Sequence, residues 1–120
     1  MSDVKSYRDL KVWQKAVELV PQVYSLVRSL PQVERYALSD QIRRSVVSIA
    51  ANIAEGQARQ HRKEFLQGLY VARGSLAELE TLLIVAEKLK YVKPEELLPI
   101  HESITEIGRM LQGLINSLAR

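Results

Sequence analysis

The residues of this chain best suited to chemistry are cationic. Arg43 and Arg44 adjoin one another, Arg59, Arg62 and Lys63 crowd a short stretch, and Arg73 follows soon after. Guanidinium and ammonium groups gathered in this way suit phosphate oxygens, which accept charge-assisted hydrogen bonds from both. From Arg35 to Arg73 seven positive side chains stand against three negative ones, a local balance of +4, whereas the rest of the chain carries ten against eleven. The formal charge of +3 is therefore concentrated in the middle of the sequence. The competing reading makes these six residues ordinary solvated or ion-paired side chains. The scarcity of aromatic residues near them, on which bases would stack, keeps that reading open.

Other chemistry finds little support. His61 and His101 are the only histidines, and neither follows a glutamate by three positions. The Glu-x-x-His pattern from which helical bundles build di-metal carboxylate sites is thus absent. His101 falls on an apolar stripe and reads as a core histidine with a hydrogen-bond partner. Gly56, Gly68, Gly74, Gly108 and Gly113 are isolated from one another, so no glycine-rich loop can cradle a phosphate. Serine, histidine and aspartate occur without the strand–turn–helix signature of a nucleophile elbow. Glu78 and Glu80, two apart on a helix, point in different directions and read as solvated or ion-pairing residues. Ser45, Ser48, Asn52, Glu55 and Arg73 near small-residue faces motivate an enzymatic pocket, but helix packing explains them with fewer assumptions. The expectation is a protein that is not an enzyme and has no cofactor or metal.

The elements that must position the basic residues follow from apolar period. In the first segment Leu10, Trp13, Val17, Val20, Tyr24 and Val27 recur at spacings of three and four. Two further rows, Ala16–Val23–Leu30 and Val12–Leu19–Leu26, widen the apolar arc to roughly 160° of a helical wheel. Pro21 sits mid-helix on the polar side and should kink the helix without ending it. Leu30-Pro31 closes this helix and Pro31 opens a short turn through Tyr36. The second helix starts near Ser39 with Leu38, Ile42, Val46, Ile49 and Ile53 as its seam. Beside that seam, Val47, Ala50, Ala51 and Ala54 are small enough to admit a close helix, and Gly56 is a candidate C-terminus. The third helix, from about His61 to Lys90, carries Phe65, Leu69, Ala72, Leu76, Leu79, Leu83 and Ala86. Gly68 and Gly74 each cost about 1 kcal/mol relative to alanine there, so both predict close helix contact. The fourth helix starts at Pro94 or Pro99, with a seam of Leu97, His101, Ile104, Gly108, Leu111, Ile115 and Leu118 flanked by Ile100, Ile107 and Leu114. Short connections favour antiparallel neighbours. The fold class is all-α, an antiparallel up-down-up-down four-helix bundle in a single domain over 1–120, with residues 1–6 flexible.

Composition agrees with a bundle whose core is mostly aliphatic, since hydrophobic residues make up 47% of the chain but aromatics only 6%. With no cysteine, neither a disulfide framework nor a thiolate site is possible. No apolar stretch approaches the roughly 18 residues of a membrane span, and Met1–Ser6 lacks the pattern of a secretory leader. A cytoplasmic protein that does not enter membranes is expected.

Several short motifs are distinctive in combination: Asp9-Leu10-Lys11-Val12-Trp13-Gln14-Lys15-Ala16, Gln41-Ile42-Arg43-Arg44-Ser45, Ser48-Ile49, Asn52-Ile53-Ala54-Glu55-Gly56 and Ala72-Arg73-Gly74-Ser75. Through them the chain, from about Leu10 to Leu118, resembles the bacterial four-helix-bundle family that includes proteins encoded within ribosomal RNA intervening sequences. That resemblance implies a four-helix protomer assembled into a ring, usually a pentamer, with no catalytic site. More distantly the chain is similar to the accessory variability proteins of retroelements, basic pentamers that bind a reverse transcriptase and nucleic acid.

The leading expectation is a non-enzymatic homo-oligomer binding RNA or another nucleic acid through Arg43, Arg44, Arg59, Arg62, Lys63 and Arg73. The alternative is a protein-interaction scaffold, with a reverse transcriptase or another protein as its partner. The first and fourth helices carry more apolar surface than one internal seam needs, which points to an interface.

Overall fold

The computed structural model describes residues 5–119. Lys5 and Ser6 open a short 3-10 turn, Tyr7–Asp9, in which Asp9 Oδ2 accepts the Lys5 and Ser6 backbone N–H groups and Ser6 Oγ accepts that of Arg8. The first four residues of the amino-terminal stretch expected to be flexible lie outside the described residues. Four α-helices follow: α1 over Lys11–Val27, α2 over Leu38–Ala58, α3 over Arg62–Lys88 and α4 over Pro94–Ala119. Pro21 lies inside α1 without ending it. Pro31 precedes a second 3-10 turn, Gln32–Glu34. At the start of α4 the Glu96 carboxylate accepts the backbone N–H of Lys93, a first-turn cap that lets the helix begin at Pro94 and pass through Pro99.

Each helix packs on its chain neighbours, and α1 also packs on α4, while the diagonal pairs α1/α3 and α2/α4 bring no Cα atoms within 8 Å of each other. This closed cycle is a four-helix bundle, 46 Å along its longest axis. The seams of α2 and α3 hold as expected: Leu38, Ile42, Val46, Ile49 and Ile53 are buried opposite Leu69, Ala72, Leu76, Leu79, Leu83 and Ala86. Phe65 packs on the edge of this core, half-buried.

The α1 seam is displaced to a neighbouring row, and the α4 seam is kept in part. In α1 the buried stripe is Val12, Ala16, Leu19, Val23 and Leu26, and most of the row through Trp13, Val17, Val20 and Tyr24 lies on its flank. In α4 Leu97, Ile104, Leu111 and Ile115 of the expected seam are buried together with the flanking Ile100 and Ile107, while His101, Gly108 and Leu118 are half-buried at the edge. His101 makes no hydrogen bond among the described residues, so it is not the partnered core histidine its position suggested. The cause is the wide apolar arc: two adjacent rows satisfy the same heptad, and only packing chooses between them.

Gly56 is a helical residue rather than a helix end, and its purpose is closeness. A Cβ on Gly68 would lie 2.6 Å from the Asn52 carbonyl oxygen and 2.9 Å from the Gly56 Cα, and one on Gly56 would lie 3.1 Å from the Gly68 Cα. The backbones of α2 and α3 therefore cross at a pair of glycines, which offsets the helix-propensity cost of both. Gly74 differs, because a Cβ there meets nothing within 4 Å. The close contact expected of it does not exist within the chain. The positions that do need a left-handed conformation are occupied by Gln60 (φ 60) and Lys90 (φ 65), just beyond α2 and α3. After α3 the Lys90 N–H reaches the Glu87 carbonyl and the Tyr91 N–H reaches that of Ala86, a Schellman closure built without glycine. Among the described residues, no helix is long and apolar enough to cross a membrane.

Candidate nucleic-acid interface

Helical rise decides which of the six cations can act together. Arg44 and Arg59 lie at opposite ends of α2, and fifteen residues at 1.5 Å each separate them by roughly 22 Å along its axis. At the first end, Arg43 donates to the Arg35 backbone carbonyl at 3.1 Å, and Arg44 Nε pairs with Asp40 at 3.0 Å one turn earlier. Both are engaged locally, although the Arg44 side chain remains 80% exposed. Arg73 stands well along α3, on the side facing α4. There it donates to Gln112 Oε1 at 2.8 Å, with its guanidinium 5.2 Å from the centre of the Tyr70 ring. Three of the six are thus dispersed.

The other three converge. Arg59 caps α2, and Arg62 and Lys63 begin α3 after a tight turn at Gln60 and His61. Arg59 makes two loose, exposed ion pairs, with Glu55 at 3.8 Å and Glu64 at 3.9 Å. Pairs of that kind contribute at most about 1 kcal/mol, so a phosphate could replace either carboxylate at little cost. Arg62 donates through Nε to the Leu118 carbonyl in the last turn of α4, where carbonyls lack intrahelical partners. Lys63 makes no ion pair among the described residues. The same end of the bundle gains Arg8 and Lys11, because the Tyr7–Asp9 turn packs on α2 and Tyr7 shares an apolar groove with Ala54. Sequence reading missed these two, since nothing in their spacing ties the start of α1 to the end of α2.

The polar row of Ser45, Ser48 and Asn52 is taken up by packing. Ser48 and Ser75 hydroxyls share a hydrogen bond at 2.8 Å across α2 and α3, Asn52 donates its amide to Ser48, and Ser45 donates to the Ile42 carbonyl. Glu55 lies beyond them at the Arg59 end, and Arg73 faces α4, so the five residues never meet around one cavity. No buried side-chain polar atom among the described residues lacks a partner. A depression of about 270 Å³ opens beside the glycine crossing, between Glu55, Arg59, Glu64 and Val71. No cluster of three or more acidic or histidine side chains suited to a metal exists among the described residues.

At the opposite end Tyr91 donates its hydroxyl to Glu34 Oε2 at 2.8 Å and ties the α3–α4 loop to the α1–α2 connection. That hydrogen bond, with some desolvation and the nearby negative charge, raises the Tyr91 pKa above the ordinary 10.0.

A four-helix chain with this arrangement invites comparison with known proteins. Residues 8–113 match the family model described as 23S rRNA-intervening sequence protein. The chain belongs to that family. The solved structure of a Bacteroides thetaiotaomicron protein, of unknown function and from the S23 ribosomal protein family, is similar to it with a TM-score of 0.79 and 30% identity. The match covers 87% of this chain and 97% of that one. No curated protein matches significantly. The 23S rRNA-intervening sequence family thus accounts for the bundle and for nearly the whole described length.

Proposed function

We propose that this member of the 23S rRNA-intervening sequence family is a non-enzymatic homo-oligomer, pentameric by its resemblance, that binds RNA or another nucleic acid at the basic end of its bundle. The observation that carries the reading is the convergence of Arg59, Arg62 and Lys63 at the α2–α3 turn, beside the last turn of α4. Of the six cations first considered, these three are the ones that share a surface. Arg43, Arg44 and Arg73 then serve mainly to hold neighbouring groups. An oligomer repeats the basic end once per subunit, so weak single contacts act at high effective concentration.

Replacing Arg59, Arg62 and Lys63 together with alanine is the test. RNA affinity should fall, and the slope of log affinity against log salt should flatten by about 2, given about 0.7 per phosphate contact on a single strand. Circular dichroism and oligomer size should stay unchanged, because none of the three lies on a buried seam. Unchanged RNA binding at several salt concentrations would overturn the assignment.

A second reading, a protein-interaction scaffold, is favoured by one observation: an apolar groove left open between α1 and α2. Binding of a protein partner there should respond far less to salt.

A further inference from the structure

Among the described residues the buried polar side chains are Ser39, Ser45 and Ser75. Ser45 donates to the Ile42 carbonyl and Ser75 shares a hydrogen bond with Ser48, as buried hydroxyls ordinarily do. Ser39 differs. It is only 3% exposed, yet its hydroxyl makes no hydrogen bond among the described residues. No fully enclosed side-chain polar atom there lacks a partner, so the Ser39 hydroxyl must keep an opening. That opening is a cavity of about 210 Å³ at the α1–α2 connection, with Val27, Leu30 and Pro31 as its apolar lining and Arg35 and Arg43 beside Ser39 in its polar lining.

The polar lining favours negative charge, since it includes two arginines and no acid. Arg43 stands one turn after Ser39 and donates through Nη2 to the Arg35 carbonyl, a neutral acceptor that leaves its charge and its other N–H groups in place. Arg35 makes no ion pair among the described residues, and its guanidinium rests 5.4 Å from the centre of the exposed Tyr36 ring. The acids that adjoin in sequence are committed elsewhere: Glu34 accepts the Leu38 N–H and the Tyr91 hydroxyl, and Asp40 pairs with Arg44. Ser39 is also the second residue of α2, whose N-cap, Ala37, supplies no side-chain acceptor. The N–H groups of Ser39 and Asp40 therefore lack both an intrahelical partner and a cap, at the positive end of a 21-residue helix. The carbonyls ending α1, which would oppose an anion, are partly taken up, because Leu26 and Val27 accept the Ser29 and Leu30 N–H groups. The depression beside the glycine crossing lacks this bias, for Arg59 is outnumbered there by Glu55 and Glu64.

We propose that this cavity binds a phosphate-type oxyanion, free or as the terminal group of a phosphomonoester, through the Ser39 hydroxyl, the first-turn N–H groups of α2 and the guanidinium groups of Arg35 and Arg43. Arginine offers paired donors in a plane that matches phosphate oxygens, and the buried hydroxyl adds a donor that has no competing partner in the chain. The cavity holds the equivalent of roughly seven waters and falls short of the roughly 300 Å³ at which sites for drug-sized ligands begin. The phosphoryl group enters, and whatever is attached to it stays outside. The site lies at the other end of α2 from Arg59, Arg62 and Lys63, and it stands independently of the nucleic-acid reading.

Nuclear magnetic resonance of the isotope-labelled chain tests this, with inorganic phosphate titrated in one arm and glycerol phosphate in the other at constant ionic strength. Saturable shifts of the Ser39 and Asp40 amides are expected, and the arm that binds tighter tells the free ion from the monoester. Ser39→Ala and Arg35→Gln should each weaken binding about tenfold, the effect of losing one hydrogen bond to a charged group. Both should keep the parent's circular dichroism, because neither side chain makes a hydrogen bond or ion pair among the described residues. The exposed Arg35→Gln carries the test alone if Ser39→Ala disturbs the start of the helix. The triple alanine variant at Arg59, Arg62 and Lys63 should bind phosphate as the parent does. No saturable shift in the millimolar range would overturn the proposal, as would parent-like affinity in the folded variants. Phosphate binding lost in the triple variant but kept in Ser39→Ala would place the ion at the other end of the bundle and would overturn it equally.

Discussion

α2 presents small residues on two sides, and the sides have opposite fates. Toward α3, Gly56 meets Gly68 almost backbone to backbone, and Ser48 and Ser75 close a hydrogen bond across the seam. Toward α1, Val47, Ala51 and Ala54 are left at the surface beside Trp13 and Val17, with Val47 43% exposed. The first side closes tightly against a helix of the same chain; the second is left as an open groove. Smallness permits close approach, but it does not say which helix will approach.

The sharpest way to break the contrast is a methyl or more at the glycine crossing. Gly68→Ala gains about 1 kcal/mol of helix propensity. Its Cβ would nonetheless strike main-chain atoms that cannot rotate away, so a net loss of about 1–3 kcal/mol is expected by chemical denaturation. Gly74→Ala, on the open face of the same helix, should instead stabilise the protomer by up to about 1 kcal/mol. If Gly68→Ala were neutral, the crossing would not be the tight contact described.

The polar link across the same seam is worth less. Ser75→Ala leaves the Ser48 hydroxyl with the neighbouring Asn52 amide as its remaining partner and should cost about 1 kcal/mol, measured by the same denaturation midpoint. On the other side of α2, Ala51→Arg should change protomer stability by less than about 0.5 kcal/mol, since the site faces solvent. The same change should disperse the oligomer. A variant that unfolded instead would show that the groove belongs to the internal core.

The smallest effect concerns the far end of the bundle. The raised Tyr91 pKa means that its link to Glu34 is fully present below the ordinary tyrosine value of 10.0 and is lost as pH climbs through the higher folded value. One tyrosine should therefore titrate late by ultraviolet absorbance, and Glu34→Gln should bring it back toward the others. A uniform titration of all tyrosines in the parent would refute the link.

Four helices, their order, the seams of α2 and α3 and most of the α4 seam were legible in the sequence. In α1 the arc is too broad for period alone to choose a row, and in α4 His101 was drawn into a core it only borders. Gly68 was read correctly and Gly74 was not, although both are interior glycines; only the position of the neighbouring backbone separates them. The six cations cluster along the chain, yet helical rise pulls Arg43, Arg44 and Arg73 away from the α2–α3 turn. Arg8 and Lys11 join that end through topology, which no spacing along the chain encodes. Gln60 and Lys90 gave no sign of their left-handed conformation, since neither residue type favours it.

Most directly at stake is whether the apolar surface beyond the core is used for self-association. Multi-angle light scattering of the unmodified chain across the micromolar range, alongside Ala51→Arg, measures it. A closed oligomer of fixed size from the parent and a folded monomer from the variant are expected. A monodisperse monomer from the parent throughout that range would contradict the reading.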